Sequence, residues 1–252
     1  MVNNHKKYQW LIKRCKALPP TPTAVAHPCD VSSLQGAVDA AKAGLIAPIL
    51  VGPVARIKEI ASKAGINISG YPIINAEFSQ ESADKAVAEI RAGRAEALMK
   101  GSLHTDELMS AVLRRDTGLR TARRISHCFI MDVPGHADPL IITDAAVNIA
   151  PTLGEKVDIV QNAIDLAHDL GLTDVRVAIL SALETVNPDV PSPIEAAALC
   201  KMADRGQITG LCQHRTRCHP EPHTQLARHN LRQRGLSQSG WTMKQCMVHR
   251  LF

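Results

Sequence analysis

The chain has 252 residues, of which 45% are hydrophobic and 21% charged, as in soluble globular proteins of one large or two modest domains. Residues 44–55, the longest uncharged apolar stretch, are too few to cross a bilayer, and lysines and arginines interrupt the apolar runs near the N-terminus. From these features we expect neither a membrane-spanning nor a secreted protein. We expect a cytoplasmic protein whose seven cysteines are reduced.

The positive charge is concentrated at one end of the chain. The formal net charge is +5, and residues 211–252 contribute six arginines and one lysine against one glutamate. The first 210 residues are therefore close to neutral. Only 3% of the chain is aromatic, which favours an aliphatic core built around a parallel sheet covered by helices.

Apolar spacing and turn residues predict strands that alternate with helices along the chain. The predicted strands are residues 24–26, 46–51, 71–75, 97–99, 125–133, 140–142 and 175–180. The predicted helices are residues 3–17, 34–44, 54–65, 82–90, 106–115, 157–170 and 192–206. Ser82 is the predicted cap of the helix over 82–90, and the last helix begins with a capping box at Ser192. This alternation is typical of an α/β fold with mainly parallel sheets flanked by helices.

The strand at 97–99 ends in Lys100, Gly101 and Ser102, and either Ser102 or Thr105 could cap the helix that follows. A strand that runs into a helix N-terminus leaves free backbone N–H groups and a positive dipole end, which suit an anion. An ordinary turn with a surface lysine is the alternative interpretation. Asp144 and Asn148 follow another strand end, where ligands of such folds bind.

Several longer stretches resemble the phosphate acetyltransferase and phosphate butyryltransferase family, in the short form. They are LMKGSLHTDELMSAVL (98–113), RRISHCFIMDVPG (123–135), PLIITDAAVNIAPTLGEKVDIVQNAIDLA (139–167) and VAILSALETVNPDVPSPIEAAALCKMADRGQITG (177–210). The resemblance covers roughly residues 20–210. It implies two α/β domains of the isocitrate/isopropylmalate dehydrogenase-like type, with the active site in the cleft between them.

The resemblance also implies the reaction of acyl-CoA with phosphate to give acyl phosphate and CoA, with acetyl or butyryl as the acyl group. Coenzyme A is then a substrate, and no cofactor or metal is needed. We expect Lys100, Gly101, Ser102, Arg124 and Ser126 to hold phosphate and substrate, and Asp144 and Asn148 to shape the cleft. The family resemblance also predicts a homo-oligomer when the chain is complete.

The resemblance ends at Gly210, and Val248 is the only valine or isoleucine among the 42 residues that follow. The family continues with a segment like LxDGPLAFDNA and a later Ser-Arg…Asp stretch that supplies the main catalytic residues, which have no counterpart here. The catalytic residues are therefore unknown, and a frameshifted or truncated product is the favoured explanation. We expect a first domain over 1–135, a partial second domain over 136–210 with its C-terminal part missing, and an aberrant, disordered basic tail over 211–252.

Three alternatives follow from this mismatch. The chain could be a catalytically inactive remnant that still binds phosphate or CoA. It could be an unrelated α/β binding protein whose basic tail binds nucleic acid, although without interleaved aromatic residues we expect no specific nucleic-acid binding. The tail's histidines and cysteines could form a metal site, but they lack the paired CxxC spacing that zinc sites favour.

Overall fold

The computed structural model describes residues 6–181, 183 and 185–211, which form two compact units. One unit is Gln9–Ala122. The other contains residues 6–8 and 123–211. The domain boundaries expected from the sequence stay a prediction, and the expected tail and its metal ligands lie outside the described residues.

The unit Gln9–Ala122 is a parallel sheet covered by helices. Its strands are β1 (Thr21–Ala26), β2 (Ile46–Gly52), β3 (Ile73–Asn75) and β4 (Ala97–Lys100). Its helices are α1 (Lys6–Cys15, here from Gln9 onward), α2 (Val31–Lys42), α3 (Val54–Ala64), α4 (Ser79–Arg91) and α5 (Thr105–Val112). The strands lie in the order β3-β2-β1-β4, and every pair is parallel. This sheet confirms the predicted fold class.

The central strand β1 supplies both faces of the core, because successive side chains of a strand point to opposite faces. Ala24 and Ala26 pack with α4 and α5, whereas Val25 packs with α2 and α3. All three residues are fully buried. The carboxyl ends of β1, β2 and β4 therefore meet at one edge of a tightly packed sheet, which we call the carboxyl edge.

Three serine caps predicted from the sequence are wrong, because each hydroxyl bonds elsewhere. Helix α4 begins at Ser79, so Ser82 lies inside it, fully buried. Helix α5 begins at Thr105 with His104 as its N-cap, while the Ser102 hydroxyl donates to the carbonyl of His27. The last helix of the described residues begins at Pro191, and Ser192 shares a hydrogen bond with Ser181.

The second unit contains a two-stranded antiparallel sheet and two helices. Its elements are β5 (Cys128–Met131), β6 (Leu140–Thr143), α6 (Leu153–Asp169) and α7 (Pro191–Asp204). The predicted apolar stripe on α6 is confirmed, since Val160, Ile164 and Ala167 are buried. No helix of the described residues is long and apolar enough to cross a membrane.

Two strand predictions in this unit need correction. Residues 125–127 are not part of β5, because Asn148 and Asp144 bond the carbonyl of Ile125 and the N–H of His127. Residues 175–180 are not a strand, because no described segment pairs with them. A strand depends on backbone partners that are remote in sequence, and apolar pattern alone does not supply them.

Gly101 follows β4 at the carboxyl edge, where the backbone of β1 leaves no space for a side chain. A Cβ at this position would collide with the carbonyl oxygens of Ala26 and His27 and would lie 2.6 Å from the carbonyl carbon of His27. These are backbone atoms of a central strand, so they cannot move aside cheaply.

We expect Gly101→Ala to lower the free energy of unfolding by about 1–3 kcal/mol, because the added methyl forces β1 and β4 apart. Gly154 on α6 is the matched control, since a Cβ there meets nothing within 4 Å. Gly154→Ala should leave stability unchanged or raise it by up to about 1 kcal/mol. Urea unfolding followed by circular dichroism measures both, and equal midpoints for the two variants would contradict the steric argument.

Candidate functional site

The carboxyl edge of the four-stranded sheet carries three of the residues that the sequence predicts for phosphate, Lys100, Gly101 and Ser102. The N–H groups of Gly101 and Ser102 donate to the carbonyls of Ala26 and His27, at 2.8 and 2.9 Å. The Ser102 hydroxyl donates to the His27 carbonyl and accepts from the N–H of Cys29. The expectation that this turn leaves its N–H groups free is therefore wrong for Gly101 and Ser102.

Lys100 is a cation at this edge. Its side chain is half-buried, and its Nζ lies 3.4 Å from the carbonyl oxygen of Gly101. No described carboxylate lies within salt-bridge distance of it. A lysine without an acidic partner keeps its charge available for an incoming anion.

The N-terminus of α5 already holds a carboxylate of its own chain. Glu107 accepts hydrogen bonds from the N–H of His104 at 2.8 Å and from the hydroxyl of Ser79 at 2.6 Å. The Ser79 bond, followed by the His104 bond, holds the pKa of Glu107 below its usual range. The helix end predicted to attract an external anion thus has an internal carboxylate as its partner, and the positive charge at this edge is carried by side chains such as Lys100 and Arg56, whose charge acts on His27.

His27 also lies at this edge, and the sequence analysis assigned it no role. It follows β1 directly, is buried, and has a backbone φ of +53°. A positive φ in a residue other than glycine is uncommon, and it costs about 1–3 kcal/mol unless other contacts impose it. The signal available from sequence was a histidine directly after a buried strand at the edge where ligands bind.

In the second unit, the structure brings together Arg124, Asp144 and Asn148. The Arg124 Nε donates to the Asn148 Oδ1 at 2.7 Å, and the N–H of Asn148 donates to the Asp144 Oδ2, also at 2.7 Å. Ser126 joins this group through Asn162, whose Nδ2 donates both to the Ser126 hydroxyl at 3.0 Å and to the carbonyl of Arg124 at 2.9 Å. These four predicted residues therefore form one hydrogen-bonded cluster, which we call the arginine cluster.

Asp144 organises the loop of the arginine cluster. Its carboxylate accepts hydrogen bonds from the N–H groups of His127, Val147 and Asn148 and from the Asn148 side chain. Burial alone would raise the pKa of Asp144, but these hydrogen bonds outweigh it and leave the pKa below its usual value. Asp144 is therefore a stable anion that fixes the conformation of a loop. Because its pKa is low, it is poorly suited to accept a proton near neutral pH.

Arg124 retains donors for a ligand despite its internal partners. Its Nε bonds Asn148 and its Nη1 pairs with Glu155 at 3.1 Å, while about half of its side chain is exposed. A guanidinium carries five N–H donors in a rigid plane, so the remaining ones are held in a defined direction by the two internal bonds. This planar set of N–H donors can bind a phosphate or a carboxylate.

Asp144→Asn should destabilise the protein at neutral pH by about 1–2 kcal/mol, because an amide cannot accept all of these hydrogen bonds. The folded pKa is below the unfolded one, so the contribution of the charged Asp144 is present above the unfolded pKa and is lost as pH falls through the folded value. The difference between wild type and variant should therefore shrink on acidification.

Urea midpoints of both proteins from about pH 7 to about pH 3 measure this convergence. Asp138→Asn is the matched control, since Asp138 is exposed in the loop between β5 and β6. A stability difference for Asp144→Asn that stays constant across this range would contradict the assignment.

Comparison with known proteins shows the relationship directly. A sequence model described as "Phosphate acetyl/butaryl transferase" matches residues 78–213, more than half of the chain. The chain is 60% identical over 204 residues to a phosphate acetyltransferase of Rhizobium meliloti, an alignment that covers 81% of this chain and 65% of that protein. It is 37% identical over 205 residues to a phosphate butyryltransferase of Clostridium acetobutylicum, covering 81% of this chain and 68% of that protein.

Solved structures agree with the sequence matches. A branched-chain phosphotransacylase of Enterococcus faecalis superposes with a TM-score of 0.61 at 26% identity, over 76% of this chain and 67% of that one. A phosphotransacetylase of Streptococcus pyogenes shares the fold with a TM-score of 0.65 at 16% identity, over 88% and 77% of the two chains. The chain spans slightly less than two thirds of the Rhizobium relative's length. The chain belongs to the phosphate acetyltransferase and phosphate butyryltransferase family.

Proposed function

We propose that this protein interconverts acyl-CoA and phosphate with acyl phosphate and CoA, with acetyl or butyryl as the acyl group. The observation that carries the proposal is the position of the family match. Residues 78–213 contain all seven residues that the sequence analysis assigned to substrate, from Lys100 to Asn148. Family membership alone does not establish a function. A match that includes the cationic residues Lys100 and Arg124 gives the proposed function a physical basis.

The two sets of cationic residues suit the charge of these substrates. Phosphate and acyl phosphate are anions, and the tetrahedral intermediate of acyl transfer carries a further negative charge on its oxygen. Lys100 supplies a point charge with no described acidic partner, and Arg124 supplies a planar fork fixed by Asn148 and Glu155. We propose that each binds a phosphoryl group or a phosphate of CoA, and that Asp144 and Asn148 fix the loop that presents Arg124.

Gly101 and Ser102 have supporting roles in this proposal. Gly101 allows β1 and β4 to approach, and Ser102 fixes the turn after His27 through both its hydroxyl and its N–H. Ser126 is held by Asn162 on α6 through its oxygen, so its own O–H remains available to a substrate oxygen. Within each unit, an anion would therefore contact side chains, Lys100 in one and Arg124 and Ser126 in the other, rather than the backbone of the turn.

A second candidate is binding of phosphate or CoA without turnover. The specific observation that favours it is that the family match ends at residue 213 and leaves residues 214–252 of this chain outside it. Free thiol released from acetyl-CoA or butyryl-CoA in phosphate buffer separates the two candidates. Turnover supports the transferase, whereas calorimetric binding of CoA without turnover supports the binding protein.

Location and assembly are also proposals. The composition, which is ordinary for a soluble globular protein, favours the cytoplasm, and a homo-oligomer stays a prediction. The unrelated binding protein considered in the sequence analysis has lost its support, because the chain belongs to this enzyme family. The basic segment that would bind nucleic acid lies outside the described residues.

Lys100→Met should raise the KM for phosphate roughly tenfold or more, because it removes a charge-assisted contact and nearly preserves the volume of the side chain. Lys63→Met is the matched control, since Lys63 on α3 is highly exposed and pairs only with Glu59 in the described structure. Steady-state assays at varied phosphate concentration measure both variants. An unchanged KM for Lys100→Met would remove Lys100 from the phosphate site.

A further inference from the structure

Two cationic residues flank the end of the central strand β1 at the carboxyl edge. Lys100 at the end of β4 pairs with Ala26 on one side, and Val51 of β2 pairs with Ala26 on the other. Arg56 follows β2 closely, as the third residue of α3. Neighbouring strands lie about 4.8 Å apart, so the ends of β4 and β2 are separated by about 10 Å with the end of β1 between them. Side chains as long as those of lysine and arginine can both reach a small anion in that space.

The first turn of α3 packs directly against the end of β1. A Cβ built on Gly52, at the end of β2, would lie 3.2 Å from Ile57 Cδ1 on α3 and 3.5 Å from the Cα of His27. Ile57 is fully buried, whereas the residue before it, Arg56, is exposed. This packing places Arg56 next to the end of β1 and leaves its side chain open to solvent.

The charge of Arg56 acts on the residues at the end of β1. Burial is the main cause that lowers the pKa of His27, and Arg56 lowers it further against the opposing effect of Glu107. Burial raises the pKa of the Cys29 thiol, and Arg56 opposes that rise. An effect on two neighbouring buried groups is expected of a cation that lies close to both.

The carboxylates near this edge already have partners within the chain. Asp30 accepts a hydrogen bond of 2.5 Å from the N–H of the third residue of α2, and Glu107 occupies the N-terminus of α5. Glu59 on α3 pairs with Lys63 at 2.6 Å, and Lys63 is the main cause that lowers its pKa, with Arg56 the smallest. Carboxylates at helix N-termini are stabilised by the helix dipole, so these groups have a role other than neutralising the two cations beside β1.

We propose that Arg56 is a further substrate-binding residue that holds the phosphoryl group together with Lys100, a role that rests on the proposed function. A phosphate monoester carries about 1.5 to 2 negative charges near neutral pH, so a single lysine leaves part of that charge unbalanced. The planar guanidinium of Arg56 can bind two phosphate oxygens at once, while the ammonium of Lys100 acts as a point charge beside a third. The same contacts hold inorganic phosphate in one direction of the reaction and acyl phosphate in the other.

Arg56→Met tests this role with little disturbance of the fold, because Arg56 is exposed. We expect the KM for phosphate to rise about tenfold to hundredfold, as when a charge-assisted hydrogen bond is lost, with the melting temperature close to wild type. Arg56→Lys, which keeps the charge without the planar donors, should raise this KM only about threefold. Lys58→Met is the matched control, because Lys58 is also exposed on α3 but lies about 200° around the helix from Arg56.

The KM for CoA and a double variant separate a shared phosphoryl site from other sites. In Arg56→Met the KM for CoA should stay within about twofold of wild type. When Arg56→Met and Lys100→Met are combined, the KM for phosphate should differ at least about threefold from the product of the two single effects, because both side chains contact one ion. Single effects that multiply would instead indicate two independent sites and would overturn the proposal.

Thermal unfolding in inorganic phosphate provides a readout that needs no turnover. At constant ionic strength, phosphate should raise the melting temperature of the wild type and of Lys58→Met, and raise that of Arg56→Met less. Absence of turnover in the wild-type chain would overturn the proposed function, whereas this pattern of melting temperatures would still support anion binding by Arg56. An unchanged KM for phosphate in Arg56→Met, a rise in its KM for CoA alone, or equal protection of all three proteins by phosphate would overturn the role of Arg56.

Discussion

The carbonyl oxygen of His27 is the point on which the carboxyl edge of the larger sheet depends. It accepts hydrogen bonds from the N–H of Cys29 and from both the N–H and the hydroxyl of Ser102, at 2.8–2.9 Å. These bonds bind the end of β1 to the turn after β4, and they are possible only because Gly101 has no side chain between the two backbones. This contact between the end of β1 and the turn after β4 fixes the position of Lys100 and also holds His27 in its strained backbone conformation.

Both units use an internal carboxylate to occupy backbone N–H groups that an external anion could otherwise bind. Glu107 does so at the N-terminus of α5, and Asp144 does so in the loop after β6. Hydrogen bonds hold the pKa of each carboxyl below its usual value, so both groups stay charged near neutral pH. In the proposed function, anion recognition by the described residues therefore depends on side-chain cations such as Lys100 in one unit and Arg124 in the other, rather than on helix dipoles.

The sequence predicted what depends on local pattern and missed what depends on remote partners. The parallel strands β1, β2 and β4 and the apolar stripe of α6 were predicted, because the spacing of apolar residues along the chain indicates which side chains are buried. The capping roles of Ser82, Ser102 and Ser192 were wrong because each hydroxyl found a partner that tertiary structure supplied. In the arginine cluster, Asp144 and Asn148 were predicted from their position after a strand end, whereas Arg124 and Ser126 came from family resemblance. The contact of Arg124 with Asn148 joins residues far apart in sequence, and the backbone conformation of His27 has no signature in sequence.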